Sequence, residues 1–248
     1  MNPLLPAGSA LAACAGVAAY AAVYPRAQIF GQTLCRTNGP RKLAITFDDG
    51  PNPAMTPQVL DLLERYNARA TFFLIGRYVR ECPGLVAQTA VRGHLVANHT
   101  LTHPNLFWLT PSAIRDEMQQ TQDAIAAATG SAPKWFRPPY GFRNPWVVTS
   151  AARFGMRTVM WSLITGDWKP RPLEKLIGKM QPIAAHAQKN LASQNSAGDI
   201  LCLHDVGHRT LNADRANTLK ALEYWFPRWR DAGLEFVTIE EAVSTPAT

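Results

Sequence analysis

The sequence predicts a parallel α/β architecture curled into a barrel, and three observations carry that prediction. Short apolar runs alternate with helix-period segments through some seven units, as in a parallel sheet with crossover helices. The ionisable residues cluster where apolar runs end, at Asp48, Asp49, His99, Arg137, Asp167 and His204. Six residues from the ends of strands suit the carboxyl rim of a barrel, whereas a doubly wound sheet gathers its site at one switch point.

Taken in order, residues 1–25 carry no charged side chain, and Leu4–Tyr24 is a long alanine-rich run closed by Pro25-Arg26. That length predicts an N-terminal apolar helix able to span a bilayer. The rival readings are a signal cleaved near Ala19-Tyr20-Ala21 and a lipoprotein box at Leu11–Cys14; both lack the usual basic start. Residues 26–42 read as a linker, and residues 43–248 as one folded body. Within it, strands are expected from Leu43 into Asp48-Asp49 and at Thr71–Ile75, Leu95–Ala97, Lys134–Phe136, Arg157–Ser162, Ile200–Leu203 and Phe236–Ile239. Thr56-Pro57 and Thr110-Pro111 read as an N-cap followed by proline in the first turn. Further helices are expected over Pro83–Arg92, Trp146–Phe154, Leu173–Leu191 and Asp214–Ala232.

Composition narrows the class. With 248 residues, 47% of them hydrophobic, the chain can bury a full core. The net charge of +7 is scattered, with no run of five basic residues, so nucleic acid is not an expected partner. A mildly basic surface suits an anionic envelope or glycan. The four cysteines form no C-x-x-C pair and read as free thiols, with a Cys35–Cys82 bridge as the alternative.

The chemistry begins at Ile45–Pro51, Ile-Thr-Phe-Asp-Asp-Gly-Pro. A strand ending in two acids sets both charges at a sheet rim, where burial is costly without a cation. Neighbouring side chains on a strand point opposite ways, so one acid can hold a metal while the other works as a base. His99 and His103 lie four apart, and on a helix they would share one face. Alone they suit a polar surface nearly as well; beside Asp-Asp they suit a metal. Arg137-Pro138-Pro139-Tyr140-Gly141 is a stiff turn whose prolines leave the Tyr140 and Gly141 N–H groups as donors fit for an oxyanion. Gly166-Asp167-Trp168 sets an acid beside a flat wall, and Leu201–Asp205 repeats the pattern of an apolar run ending in ionisable groups.

These five segments, in this order, resemble the polysaccharide deacetylase family, the NodB homology domain or carbohydrate esterase family 4, over about residues 41–241. The resemblance implies an irregular (β/α) barrel of about seven strands. It implies hydrolysis of acetyl groups, above all N-acetyl, on an amino-sugar glycan such as a chitooligosaccharide or peptidoglycan. It also implies a divalent metal, zinc first and cobalt or manganese as substitutes. Asp49, His99 and His103 match the metal ligands, Asp48 the general base and Arg137 the arginine that orients it. Tyr140 matches the oxyanion donor, His204 the general acid and Asp167 its tuning carboxylate; Trp168, Leu203 and Pro138 match residues around the acetyl pocket. The chain departs from many members at Ile164 and Leu95, where they carry an aspartate and a glutamate.

Deacylation of a lipid-linked sugar or an O-acetyl ester is the alternative activity, and a non-catalytic glycan-binding protein the remote one. The expected setting is a monomer on the outer side of the cytoplasmic membrane, held by the leader or secreted. Trp108, Trp135, Trp161, Trp225 and Trp229 are placed in the core by position, with Phe107 and Trp108 alternatively stacking on a sugar.

Overall fold

Residues 42–48 carry the apolar run beside which the rest of the sheet is laid. The computed structural model describes residues 4–191 and 197–244, with side chains over 13–189 and 197–244. In chain order the elements are α1 (Leu4–Val23), β1 (Thr33–Leu34), β2 (Lys42–Asp48), α2 (Thr56–Arg65), β3 (Thr71–Leu74), α3 (Gly76–Glu81) and α4 (Pro83–Val91). Then come β4 (Leu95–Asn98), α5 (Pro111–Thr129), β5 (Trp135–Phe136), α6 (Pro145–Arg153), β6 (Arg157–Val159) and β7 (Leu163–Ile164). The chain closes with α7 (Leu173–Leu191), β8 (Asp199–His204), α8 (Ala216–Asp231), β9 (Glu235–Val237) and α9 (Ile239–Val243).

All strand pairings are parallel, in the order β1-β6-β5-β4-β3-β2-β8-β7. β8 follows β2 from Leu43 to Asp48, while β9 pairs with residues 42–44 and β3 with residues 46–48 on the other edge. The sheet curls into the irregular barrel expected, left open between the two-residue end strands β1 and β7. Neither of these two strands is among those expected from the sequence.

Strand alternation sorts the interior into two layers. Leu43, Ile45, Phe47, Phe72, Leu74, Val96, Leu201 and Leu203 pack outward in the core shared with the helices. Ala44, Phe73, Ala97, Trp135, Val159 and Ile200 fill the barrel. Above that filling, towards the carboxyl ends, the inward positions become Thr46, Asp48, Cys202 and His204. Apolar filling below and polar groups above leave the chemistry at the rim.

The helix signals mostly act as read. Thr110 caps α5 by accepting from Ala113 N–H, and Gly130 ends it at φ 80°. Thr56 does not cap α2; it lies inside the helix, accepts from Asn52 N–H at 2.8 Å and donates to Asp205. α3 and α9 were not foreseen. The last strand stops at Val237 because Thr238 opens α9 in a reciprocal capping box with Glu241.

Two readings of the N-terminal region change. The segment read as a linker carries β1, paired with β6. The end of α1 docks on the body: Ala21 and Ala22 are buried, and Ala22 O accepts from Arg143 N–H at 3.1 Å. Among the described residues no helix is long and apolar enough to cross a membrane. The side chains of residues 4–12, the first part of the expected span, lie outside the described set. All four cysteines are free thiols, Cys35 and Cys82 included.

Candidate active site and metal centre

Asp48 and Asp49 reach one cavity by different routes. Asp48 is the last residue of β2 and points inward by strand alternation. Asp49 has left the strand at φ 75°, which turns its carboxylate to the same side. Among the described residues, four of the five non-glycine residues with positive φ are Asp49, Thr100, His103 and Tyr140, all in the loops that build this cavity. Such backbone costs about 1–3 kcal/mol per residue and persists where surrounding structure enforces it, as at functional sites.

The histidines do not share a helix, as their spacing allowed. They converge through a loop after β4, bent by Thr100 at φ 69° and His103 at φ 60°. Asn98 anchors it: its Nδ2 donates to Met118 O at 2.9 Å, and its Oδ1 accepts from Thr100 N–H. Thr102 donates through its hydroxyl and N–H to Glu117, at 2.7 and 2.9 Å. His99 Nε2 and His103 Nε2 then lie 3.5 and 3.2 Å from Asp49 Oδ1.

The three groups fit a cation. His99 Nδ1 sits 2.7 Å from Arg137 O, so it carries the proton and leaves a lone pair on Nε2. That lone pair faces Asp49 Oδ1, a buried oxygen without a hydrogen-bond donor. Two acceptors facing each other in a buried place repel unless a positive ion lies between them. The ligand atoms of Asp49, His99 and His103 all lie within 4.8 Å of one another. Burial, with neighbouring His99, pushes the His103 imidazole down to about 3, so it offers a neutral ring.

Arg137 orients Asp48. Its guanidinium, fully buried, donates from Nη1 to Asp48 Oδ1 at 2.6 Å and to Thr46 Oγ1 at 2.7 Å. Nη2 donates to Met160 O at 3.0 Å, and the group lies over the Phe73 ring. These contacts leave Asp48 Oδ2 to the cavity, where it accepts from Cys202 Sγ at 3.4 Å. Beyond Arg137 the stiff turn holds Tyr140 at φ 58°. Of its two expected donors only one remains: Gly141 N–H closes onto Pro138 O at 3.0 Å, which leaves the Tyr140 N–H.

His204 and Asp167 form the second polar pair. Asp167 Oδ1 lies 2.9 Å from His204 Nδ1, while Oδ2 accepts from His204 N–H at 2.8 Å and from Thr218 at 3.0 Å. Burial lowers the imidazole, but the Asp167 carboxylate more than offsets this and raises it to about 9. His204 is therefore a protonated imidazolium at neutral pH, with Nε2–H free to face the cavity. Trp168 meets its ring edge-on at 4.8 Å.

The cavity holding these groups is about 220 Å³. Pro138 and Trp168 line it as expected; Leu203 does not. Its side chain is fully buried in the helix-facing core because odd positions of β8 point outward, and its neighbour Cys202 lines the cavity instead. Ile164, one of the departures from the family pattern, also lines it. Trp161, His208 and Gly141 join the wall. His208 stacks on His103 with ring centroids 4.5 Å apart, and its N–H donates to Asp49 Oδ2 at 3.1 Å. Thr46 and Cys202 were also missed, although strand alternation from Asp48 and His204 points both inward.

Comparison with known proteins decides the family. A family model described as polysaccharide deacetylase matches residues 36–159, half of the chain. The chain belongs to the polysaccharide deacetylase family. A peptidoglycan-N-acetylglucosamine deacetylase of Bacillus cereus is 39% identical over 82% of this chain and 89% of its own length. A chitooligosaccharide deacetylase of Bradyrhizobium is 35% identical over 80% of this chain and 89% of its own. The crystal structure of the Bc1960 peptidoglycan N-acetylglucosamine deacetylase superposes with a TM-score of 0.74 at 29% identity, covering 86% of this chain and 92% of that one. BA3943 of Bacillus anthracis, described as a CE4 family pseudoenzyme, superposes with a TM-score of 0.73 at 27% identity over 86% of this chain and 69% of its own. Membership of the polysaccharide deacetylase family thus explains the fold, and the residues in the cavity decide the chemistry.

Proposed function

We propose that this chain is a metal-dependent deacetylase that removes N-acetyl groups from an amino-sugar glycan of the peptidoglycan or chitooligosaccharide type. One observation carries the reading. A buried set of three metal-fit donors shares its cavity with an oriented carboxylate, Asp48, and a protonated imidazole, His204.

A divalent cation held by Asp49, His99 and His103 would supply Lewis acidity, polarising the acetyl carbonyl and acidifying a water. The other steps belong to side chains. Asp48, fixed through Oδ1 by Arg137, accepts the proton of the attacking water on Oδ2. The Tyr140 N–H stabilises the oxyanion as the carbonyl becomes tetrahedral. His204, its Nδ1–H held by Asp167, gives its Nε2 proton to the leaving amine. Pro138, Ile164 and Trp168 border the cavity as the acetyl-side wall. Zinc suits two imidazoles and one carboxylate, and cobalt or manganese would substitute.

The setting we infer is the outer side of the cytoplasmic membrane, with residues 1–25 as the attachment; their lack of charge supports the attachment, and the glycan chemistry the outer side. The same leader favours a second substrate within this chemistry, an acetylated sugar carried on a lipid. Acetate release from chitooligosaccharides, peptidoglycan fragments and lipid-linked sugars, measured side by side, ranks the substrates. Full activity on every substrate after complete metal removal overturns the mechanism.

A further inference from the structure

The catalytic chemistry leaves one part of the molecule unexplained. From Ala13 to Tyr20, α1 is exposed residue by residue, although it is apolar all round. A helix of that kind is ordinarily covered. Its base is not a loose tether. Arg143, a buried guanidinium, donates to Tyr24 O and Ala27 O just past the end of α1, and to Gly141 O in the Tyr140 turn. Its backbone N–H also holds Ala22 O. The end of α1 and the Tyr140 turn are thus fixed to one cation.

Around this base stands a collar of exposed aromatic side chains. Tyr20 stacks on Tyr24 at 4.9 Å. Ala19, Ala22, Val23, Phe107, Trp108 and Phe142 line an apolar groove of about 220 Å³. Trp108 is 78% exposed and Trp146 55%, against the core position expected for Trp108. Asn144, at the start of α6, donates to Phe107 O at 3.1 Å, which sets Trp146 near the groove. Phe142 contacts Tyr140, so the collar adjoins the mouth of the catalytic cavity.

Charge points to the occupant. Asp48 is the first carboxylate of the chain, and residues 82–115 and 124–166 contain none. The end of α1, the Phe107-Trp108 turn and α6 all fall in these acid-free stretches, where Arg26 and Arg153 are exposed. Exposed tryptophan and tyrosine beside an apolar helix, on stretches of chain that carry arginine and no acid, match the interface of an anionic bilayer.

We propose that this collar is a membrane-contact surface, seating the body against an anionic bilayer with the cavity mouth beside the headgroups. The proposal rests on the reading of residues 1–25 as the membrane attachment and is independent of the chemistry in the cavity. A glycan or a second copy of the chain covers the collar under the rival accounts.

The test is tryptophan quenching in the full chain reconstituted into phosphatidylcholine vesicles containing phosphatidylglycerol. Wild type is expected to be quenched by brominated lipid, and Trp108→Phe/Trp146→Phe to lose about half of that quenching, because interfacial rings sit at headgroup depth. Turnover of a soluble chitooligosaccharide in detergent is expected to stay unchanged, which also verifies folding. Equal quenching of wild type and variant overturns the proposal. A severalfold rise in KM for the soluble oligomer overturns it in favour of a sugar platform. Shielding from aqueous iodide that appears without lipid and grows with protein concentration overturns it in favour of self-association.

Discussion

Replacing Asp167 by asparagine removes one charge from the His204 pair at almost constant volume. Asp167 Oδ1 sits 2.9 Å from His204 Nδ1, and its charge raises that imidazole to about 9 against the opposing effect of burial. At pH 7.5 an imidazole at about 9 is ~97% protonated, whereas one at its ordinary value of about 6.5 is ~9% protonated. The acid form therefore falls about tenfold at that pH, and acetate release should fall with it. Across pH 5–10, the alkaline limb of kcat/KM should move from near 9 towards about 6.5, since only the more distant Asp49 and Asp48 charges then stand against burial. Thermal melts give an independent readout. A histidine raised on folding stabilises fully below about 6.5, and that contribution is lost as pH rises through about 9. The Tm deficit of the variant should accordingly be largest at pH 6 and shrink above pH 9. An alkaline limb that stays in place would refute His204 as the acid tuned by Asp167.

Arg137→Met should cost roughly 3–5 kcal/mol, because it leaves Asp48 buried without its cation, and chemical denaturation reads this directly. Arg137→Lys restores a charge but not the fork that serves Asp48, Thr46 and Met160 O, so kcat should stay at least about tenfold down while part of the stability returns. Burial raises the Asp205 carboxyl to about 7, so the folded protein loses stability as pH rises from about 4 towards 7. Asp205→Asn, measured by melts at pH 5 and 8, should flatten that decline. Gly198→Ala should fold poorly at 37 °C, since its Cβ would lie 2.1 Å from Lys42 O and 2.5 Å from Gly39 O, both backbone atoms; soluble yield checks it.

What the sequence discloses is what local pattern controls. Asp48-Asp49-Gly50-Pro51 announces a strand end because apolar run, paired acids and turn residues are contiguous. Seven strand runs and six helices show by the same token, whereas β1, β7, α3 and α9 do not. His99 and His103 were legible as a pair, but not the way they meet: a backbone turned twice into positive φ has no spacing rule. Leu203 was misplaced by transfer from the family pattern, although strand alternation from His204 already turned it outward. Alternation would likewise have exposed Thr46 and Cys202. Arg143 was invisible because its partners Tyr24 and Ala27 stand more than a hundred residues away. Trp108 was assigned to the core by position, whereas it stands exposed beside the docked end of α1.

The most direct test is anomalous X-ray scattering at the zinc edge from crystals of the full chain grown with zinc. The account predicts one strong peak about 2.0–2.2 Å from Asp49 Oδ1, His99 Nε2 and His103 Nε2, lost in His103→Ala. A cavity without that peak, or zinc bound only elsewhere on the protein, would contradict it.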